Sequence, residues 1–249
     1  MTSRCFALLP AGGTGSRAGT AIPKQYLAVA GKPMIVHTLA AFSALPMIDR
    51  ITVVIARDDR YFDTLVLDDA IRSRLDVVRA GGSTRDASVA NGLAAMGGKV
   101  DGDDWILVHD AARCGITPAL IATLIESLQG DAIGGLLALP LDDTVKREAS
   151  RAFDGRMSVA QTVDRHGLWR AQTPQMFRHR MLGDAIAAAR ARGHATTDEA
   201  GAIEAAGHRV LLVRGSPRNF KVTTADDLAM MDRLLQADHA TTHPSASPR

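Results

Sequence analysis

The stretch CFALLPAGGTGSRAGTAIPKQYL, residues 5–27, joins an apolar run to a long glycine-rich segment. The run CFALLP (5–10) has the length of a strand, and glycines follow at positions 12, 13, 15 and 19. Glycine lets backbone N–H groups approach a phosphate, and a strand leading into such a loop is typical of nucleotide-binding α/β domains. The segment therefore predicts an α/β fold and a phosphate-binding loop.

Further apolar runs alternate with stretches of helical period along the chain. This alternation predicts βαβ units, and so a mostly parallel sheet flanked by helices. Several runs are apolar throughout, as expected for strands that are buried on both faces. The predicted strands are CFALLP (5–10), RITVVIA (50–56), LDVVRA (75–80), DWILVHD (104–110), AIGGLLALP (132–140) and RVLLVRG (209–215).

Capping signals predict where several helices begin or end. Two pairs resemble capping boxes, one pair resembles an N-cap followed by proline at the first helical position, and one glycine predicts a helix end. These are, in order, Ser83 with Asp86, Thr196 with Glu199, Thr117 with Pro118, and Gly207.

Residues 142–165, DDTVKREASRAFDGRMSVAQTVDR, interrupt the alternation with two β-branched stretches around a polar centre. Asp154-Gly155 lies between them, and Asp-Gly between strands strongly indicates a hairpin turn. The segment therefore predicts an antiparallel β-arm that protrudes from the main sheet. A two-stranded ribbon is marginally stable alone, so we expect the arm to pack on a second subunit.

Composition limits the possible classes of protein. The 249 residues are 46% hydrophobic and 22% charged, which predicts one domain over residues 1–236, with a disordered Pro-, Ser- and Thr-rich tail over 237–249. A net charge of +2 with scattered basic residues argues against nucleic-acid binding. Cys5 and Cys114 are too few for a disulfide framework, and no apolar run reaches the roughly 18 residues that span a bilayer. We expect a cytoplasmic protein that binds neither nucleic acid nor membrane.

Two standard phosphate-loop motifs fit the glycine-rich segment poorly. Residues 13–18 match the G-x-G-x-x-G/A dinucleotide fingerprint, but Pro23 breaks the helix that should follow, and the ribose-binding acid is missing. The Walker pattern fails because no G-K-[ST] closes the loop. The remaining loop, with the cations Arg17 and Lys24, suits a triphosphate whose reacting phosphate meets a fixed positive charge. A glycine-rich surface turn with two solvated cations is the alternative.

Seven motifs occur in order along the chain: PAGGTGSRAGTAIPKQYL, GGSTRDASVANGL, VHDAAR, DDTVKR, TVDRHGLWRAQTPQ, TDEA and NFKVT. Over residues 5 to about 230 they resemble the 2-C-methyl-D-erythritol 4-phosphate cytidylyltransferase family. The resemblance implies a Rossmann-like nucleotidyltransferase fold, a cytosolic homodimer joined through the β-arm, and the use of CTP and Mg²⁺. A cytidylyltransferase for another polyol phosphate, such as ribitol 5-phosphate, and an NAD-dependent oxidoreductase are the alternatives.

The reaction implied is attack of a phosphomonoester oxygen of methylerythritol phosphate on the α-phosphorus of CTP, with loss of pyrophosphate. Because a phosphomonoester is largely dianionic at neutral pH, its second pKa being about 6, the nucleophile needs no general base. Catalysis then depends on holding two anions in line and neutralising charge. We therefore expect cations to outnumber acids and histidines at the site.

The resemblance also assigns individual residues. The catalytic positions are Arg17, Lys24, Arg165 and Lys221. The CTP-binding positions are Ala11, Gly12, Gly13, Thr14, Gly15, Gly82, Ser83, Arg85, Ser88 and Asp110. The positions that hold methylerythritol phosphate are Thr144, Arg165, Thr173, Lys221 and Arg113.

Asp110 ends a predicted strand at the carboxyl edge of the sheet, where ligands bind in open α/β folds. It is assigned to ribose or magnesium, and the CTP phosphates should carry most of the metal because no second carboxylate accompanies Asp110. Cys114 replaces the proline usual in the family, and loss of the ring is expected to loosen the turn after Arg113. We interpret His109 and His166 as structural.

Overall fold

The computed structural model describes residues 3–13, 22–150, 154–193 and 196–242, with backbone alone for 239–242. Within these residues the strands are β1 (Cys5–Ala11), β2 (Ala28–Val29), β3 (Lys32–Pro33), β4 (Ile48–Ile55), β5 (Leu75–Val78), β6 (Trp105–Val108), β7 (Gly134–Pro140), β8 (Val145–Glu148), β9 (Val159–Val163), β10 (Trp169–Arg178) and β11 (Leu211–Arg214). The helices are α1 (Met34–Ser43), α2 (Asp69–Arg72), α3 (Arg85–Met96), α4 (Pro118–Leu128), α5 (His179–Ala191), α6 (Glu199–Ala205) and α7 (Ala225–Thr242), with 3-10 helices at Lys24–Tyr26, Phe62–Thr64 and Pro217–Asn219.

Seven strands form the central sheet in the order β11-β7-β10-β6-β1-β4-β5. β10 is antiparallel to β7 and β6, whereas the other neighbours are parallel. The prediction of a mostly parallel sheet is confirmed, and every predicted strand forms with its ends within two residues of the expected positions.

The sequence did not predict β10, which lies inside the sheet. Its segment WRAQTPQMFR contains Pro174, and proline has no N–H to donate to a neighbouring strand. The pairing of β10 with β7 shifts register between Ala171 and Gln175, so Pro174 lies at an interruption of the ladder. The irregularity lets a proline-containing segment occupy an interior position.

Side chains that alternate along the strands pack on the two faces of the sheet. Leu9 and Val53 belong to a cluster with residues of α1 and α4, while Leu8 and Val54 belong to a cluster with residues of α3, α5 and α6. The strands are apolar throughout because helices cover both faces, as predicted. This arrangement brings the carboxyl ends of β1 and β6 to the same edge of the sheet.

Two predicted helix boundaries are confirmed. Thr117 caps α4 by accepting a hydrogen bond from the Leu120 N–H, and Pro118 occupies the first turn. Gly207, with φ at +88°, lies just beyond α6. A positive φ suits glycine because it lacks a Cβ, so the residue ends the helix without strain.

Two predicted caps are wrong by one or two residues. Thr84, not Ser83, caps α3, and Asp198, not Thr196, caps α6. Each true cap accepts a hydrogen bond from the N–H three residues later. Both segments hold several adjacent residues that cap well, so the local pattern cannot separate them.

The arm is confirmed as a separate two-stranded antiparallel sheet of β8 and β9. Asp154 and Gly155 have φ at +51° and +73°, as a tight hairpin turn requires. Met157 and Val159 on this ribbon are 81% and 60% exposed. The arm thus carries apolar side chains into solvent.

The C-terminal helix corrects the predicted start of the tail. α7 continues to Thr242, six residues past position 236. Leu235 is buried, and the Arg218 guanidinium forms an ion pair with the Asp238 carboxylate, so contacts with the domain hold this end of the helix. Residues 243–249 lie outside the described part of the chain. None of the described helices has the length and apolar character needed to cross a membrane.

Candidate active site

A cleft of about 270 Å³ opens where β1 and β6 end. Ten of the predicted site residues line it: Ala11, Gly12, Gly13, Lys24, Gly82, Ser83, Arg85, Ser88, Asp110 and Lys221. They come from positions between 11 and 221, so the fold assembles residues that the sequence placed in four separate motifs. The remaining described lining residues are Pro10, Gln25, Thr84, Ala111 and Ala112.

Two glycine-containing segments touch at one wall of the cleft. A Cβ on Gly12 would lie 2.8 Å from the Gly81 Cα, and one on Gly82 would lie 2.4 Å from the Ala87 Cβ. Both distances are too short for non-bonded carbon atoms. Glycine is therefore required at both positions by the close packing of the protein itself.

Ser88 shapes the same wall from inside helix α3. Its hydroxyl accepts a hydrogen bond from the Gly82 N–H at 3.0 Å and donates to the Thr84 carbonyl at 3.0 Å. The side chain is buried. Ser88 thus fixes the turn that precedes α3, and its hydroxyl proton already has an acceptor.

Asp110 lies at the centre of a cluster of charges. Arg85 Nε is 2.7 Å from one carboxylate oxygen, and Lys221 Nζ is 2.8 Å from the other. Burial opposes ionisation of Asp110, but these two cations outweigh it and hold the pKa of the carboxyl well below its usual range. Asp110 is therefore a buried anion that orients two cations.

Glu199 completes this cluster, and the sequence assigned it only to a capping box. Its two carboxylate oxygens accept from the two terminal nitrogens of Arg85, at 2.7 and 3.0 Å. The Glu199 side chain is 2% exposed, so the pair is shielded from water. Burial works to lower the pKa of Arg85, but Glu199 and Asp110 raise it. Arg85 is a doubly paired cation whose orientation is fixed from both sides.

Thr173 and His109 form a buried chain of hydrogen bonds that holds the Asp110 backbone. The Asp110 N–H donates to the Thr173 hydroxyl oxygen at 3.1 Å, and that oxygen is 2.9 Å from His109 Nδ1. The hydroxyl has one proton, and donating it to His109 Nδ1 leaves the ring hydrogen on Nε2, 3.3 Å from the Arg113 carbonyl. Burial lowers the pKa of His109 to about 3, which keeps the ring neutral. This geometry agrees with a structural role for His109.

Arg113 lies beside the cleft rather than in its lining. Its terminal nitrogens donate to the carbonyls of Asn219 and Ala171, at 3.0 and 3.3 Å. Its buried Nε has no hydrogen-bond partner within the described residues and lies 3.9 Å from the Asp110 carboxylate. Arg113 therefore adds positive charge next to Asp110 and keeps one donor without an acceptor.

The turn that contains Cys114 is closed in the absence of the expected proline. The Arg113 N–H donates to the Asp110 carbonyl at 2.9 Å, and the Ile116 N–H donates to the Arg113 carbonyl at 3.1 Å. Cys114 is buried with Val222 and other apolar residues, and burial raises its pKa to about 12. The expected loosening is not visible in the hydrogen bonding of this turn.

Lys24 enters the cleft from the 3-10 helix that follows Pro23. Pro23 has φ at −57° and ψ at 136°, and the helix begins directly after it. Lys24 Nζ donates to the Val222 carbonyl at 2.7 Å. Since Val222 follows Lys221, this contact places the two predicted catalytic lysines on neighbouring parts of the cleft wall.

Some predicted site residues are not brought to this cleft. Thr144 and Arg165 are exposed and flank the arm, directly before β8 and shortly after β9. Thr173 is buried behind Asp110. Thr14, Gly15 and Arg17 lie outside the described residues.

The donor groups of the cleft limit how a metal could be held. Within the described residues no three His, Cys, Asp or Glu side chains cluster as a metal site. Asp110 is the one carboxylate in the described lining, and both of its oxygens already accept from cations. Each oxygen keeps a second lone pair. These residues fit Mg²⁺ carried by substrate phosphates, with Asp110 offering a single oxygen.

The arrangement suits binding of a polyphosphate, and the described lining of the cleft offers no general base. Lysines and a glycine-rich turn face the cleft, whereas His109 is fully buried and neutral. A reaction here needs a nucleophile that is already ionised. Charge neutralisation and positioning are what these groups can supply.

Comparison with known proteins gives a consistent result. Residues 5–237 match the family model described as 2-C-methyl-D-erythritol 4-phosphate cytidylyltransferase. A protein of that name from Paraburkholderia phytofirmans is 54% identical over 237 residues, which cover 94% of this chain and 97% of the relative. A crystal structure described as 4-diphosphocytidyl-2C-methyl-D-erythritol synthase is 36% identical, with TM-score 0.79 and coverage of 94% and 99%. The Francisella tularensis cytidylyltransferase structure is 33% identical, with TM-score 0.76 and coverage of 93% and 99%.

Proposed function

Since the chain belongs to the 2-C-methyl-D-erythritol 4-phosphate cytidylyltransferase family, we propose that the cleft around Asp110 carries out the family's reaction. The enzyme transfers CMP from CTP to 2-C-methyl-D-erythritol 4-phosphate in isoprenoid biosynthesis. The products are 4-diphosphocytidyl-2-C-methyl-D-erythritol and pyrophosphate. The observation that supports this site most directly is the convergence of Lys24, Lys221 and the Gly12–Gly82 wall around one buried carboxylate.

The acceptor is its own nucleophile in this proposal. One oxygen of its phosphate attacks the α-phosphorus of CTP, a new P–O bond forms, and the bond to the β-phosphate oxygen breaks. The phosphate is largely dianionic near pH 7, so no proton has to be removed. The neutral, buried state of His109 is compatible with this chemistry because the reaction requires no base.

Lys24 and Arg17 act on the departing pyrophosphate in this scheme. Lys24 is half-buried at the cleft wall, and a fixed ammonium there would neutralise negative charge as the leaving group separates. Backbone N–H groups of Gly12 and Gly13 hold the triphosphate. Ser83, the backbone at Gly82, and Ser88 behind it shape the cytidine pocket, with Arg85 held beside it.

Lys221 and Arg113 are proposed to hold the acceptor phosphate. Lys221 is 43% exposed at its side chain, so it can contact an anion in the cleft while its ammonium also binds Asp110. Arg113 adds positive charge beside the cleft, because its guanidinium lies next to the Asp110 carboxylate. Thr173 contributes by holding Asp110 in place, since its hydroxyl bonds the Asp110 N–H.

We propose Mg²⁺ as the cofactor, held mainly by the CTP phosphates with Asp110 as the protein carboxylate. When bound, the ion would neutralise charge on the phosphates. Asp110 has a second task that is independent of metal, because it keeps Arg85 and Lys221 at fixed positions.

The enzyme is proposed to act as a homodimer in the cytoplasm. Met157 and Val159 are exposed on the ribbon, whose described strands β8 and β9 form a sheet separate from the main one, and this favours burial against another copy. Thr144 and Arg165 flank this ribbon, so a partner's arm would carry them to the acceptor site of the other subunit. The free cysteines Cys5 and Cys114 are consistent with a reducing compartment.

Release of pyrophosphate by the purified protein tests the reaction. The protein is incubated with CTP and Mg²⁺ and with methylerythritol 4-phosphate, ribitol 5-phosphate or no acceptor. We expect pyrophosphate to be released only when methylerythritol 4-phosphate is the acceptor. Preference for ribitol 5-phosphate would overturn the substrate, and no release with any acceptor would overturn the assignment of the cleft.

A further inference from the structure

The 3-10 helix Lys24–Tyr26 is attached to three different parts of the domain. A 3-10 helix has about three residues per turn, so three consecutive side chains point in three directions. Lys24 Nζ donates to the Val222 carbonyl at 2.7 Å, and the Tyr26 hydroxyl donates to the Asp59 carboxylate at 2.7 Å. The middle residue, Gln25, points to the end of β1.

Gln25 uses both hydrogens of its amide nitrogen on the backbone that starts the glycine-rich segment. Nε2 donates to the Ala11 carbonyl at 2.8 Å and to the Gly13 carbonyl at 3.3 Å. Gln25 is buried, with 8% of the residue exposed, so water competes little for these bonds. One side chain therefore connects the first residues of the phosphate-binding segment to the helix that carries Lys24.

We propose that Gln25 is a positioning residue that sets the distance between the Ala11–Gly13 backbone and the Lys24 ammonium. The proposal rests on the proposed function in one respect, because CTP is taken as the ligand that both groups meet. Gln25 itself acts through its two backbone partners and through Lys24.

The chemistry of the amide explains why glutamine is suited to this position. A primary amide has two N–H groups on one nitrogen and can satisfy two carbonyls at once. Glutamate has the same shape but, when ionised, can only accept hydrogen bonds, so it would face two carbonyl oxygens without a proton. Methionine has a similar length and fills the same space without donating.

The Gln25→Met and Gln25→Glu variants separate hydrogen bonding from packing. For both we expect kcat/KM for CTP to fall by about 10- to 100-fold, since small misplacements of catalytic groups have effects of that order. The KM for the acceptor should change by less than about twofold, because Lys221 and Asp110 are held by other bonds. Gln25→Asn should also lose activity, because its amide is one methylene too short to reach both carbonyls.

Tyr26→Phe is the control from the same 3-10 helix, because it removes the hydrogen bond between the Tyr26 hydroxyl and the Asp59 carboxylate and leaves the Gln25 amide with its two carbonyl partners. It should lower the thermal midpoint while leaving kcat/KM for CTP within about twofold of wild type. Equal losses of kcat/KM in Tyr26→Phe and Gln25→Met would show a general loosening of the helix and overturn the proposal. Wild-type kcat/KM in Gln25→Met would also overturn it.

Amide hydrogen exchange tests the connection without turnover. Peptides covering residues 5–13 and 22–30 should exchange faster in Gln25→Met than in Tyr26→Phe, in protein without nucleotide. If the wild type released no pyrophosphate, the proposed function would fail, while this difference would still support the tether. Identical exchange in the two variants would overturn the tether even if the enzyme is active.

Discussion

Lys221 and Asp110 are 111 positions apart in the sequence, yet Lys221 Nζ lies 2.8 Å from an Asp110 oxygen. Asp110 follows the interior strand β6, and Lys221 lies between β11 and α7. Their side chains are 10% and 43% exposed, so the pair spans from the protein interior to the cleft. The buried Asp110 carboxylate thus holds the Lys221 ammonium at the cleft, where the ammonium can bind an anionic substrate.

Replacing Lys24 with alanine should lower kcat by about 10²- to 10³-fold, the usual effect of losing one charge stabiliser of the transition state. Steady-state kinetics with CTP and methylerythritol 4-phosphate measure this. Lys32→Ala is the matched control because Lys32 is an exposed lysine near the same segment but outside the described cleft lining. An unchanged kcat in Lys24→Ala would remove the residue from the mechanism.

Replacing Glu199 with glutamine should destabilise the fold and weaken catalysis together. Arg85 would lose one of its two charged partners, and because the Glu199 side chain is 2% exposed, such a loss costs on the order of 2 kcal/mol. Urea unfolding measures this, and we expect kcat/KM to fall because Arg85 also holds Asp110. Glu204→Gln, on the exposed part of the same helix, should change neither quantity. Wild-type stability in Glu199→Gln would mean that the ion pair contributes nothing.

The neutral state of His109 predicts loss of stability in acid. Its pKa is about 3 in the folded protein and near 6.5 when unfolded, so the unfolded state binds the proton first. The contribution of neutral His109 to the free energy of unfolding is therefore complete above about pH 6.5, and it is lost as the pH falls towards 3. Between about pH 7.5 and about pH 5.5, the free energy of unfolding of wild type should fall by about 1 kcal/mol more than that of His109→Gln.

Urea unfolding at the two pH values checks this expectation. His208→Gln, which removes an exposed histidine, controls for the change in histidine count. If the free energy of unfolding depended on pH equally in wild type and in His109→Gln, protonation of His109 in the folded state would carry no cost in stability.

The arm should hold the proposed dimer together. Deletion of residues 146–160 should give a monomer by light scattering, because the exposed apolar side chains of the ribbon would be gone. The Val159→Asp substitution tests the same apolar surface without removing the strands. Val66→Asp, at a valine that is 87% exposed elsewhere, should leave the oligomeric state unchanged. A stable dimer after deletion would locate the interface outside the arm.

Local patterns in the sequence predicted much of the fold. Strands such as β4 and β6 are buried on both faces, so they appear in the sequence as short runs of apolar residues. The arm was predicted from Asp154-Gly155, because a hairpin turn needs only two neighbouring residues. The cations Lys24 and Lys221 were found through motifs, and the structure brings both to the cleft.

Other features depend on contacts between distant residues, which periodicity does not record. Glu199 meets Arg85 across 114 positions, and its sequence context indicated a helix cap. Gln25 carries no local signal for the carbonyls that it binds. β10 was missed because Pro174 disfavours a strand, while the register shift that accommodates it is a property of the assembled sheet.

The position of β10 also has a consequence for synthesis of the chain on the ribosome. β6 pairs with β1 on one side and with β10 on the other, so its second edge stays open until residues 169–178 have emerged. An incomplete chain that ends near the arm would expose the open edge of an apolar strand, and such edges recruit other chains. Asp110 would also lack Thr173 and Lys221 at that stage. The cleft around Asp110 is therefore among the last parts of the domain to form, and truncated chains should aggregate rather than retain partial activity.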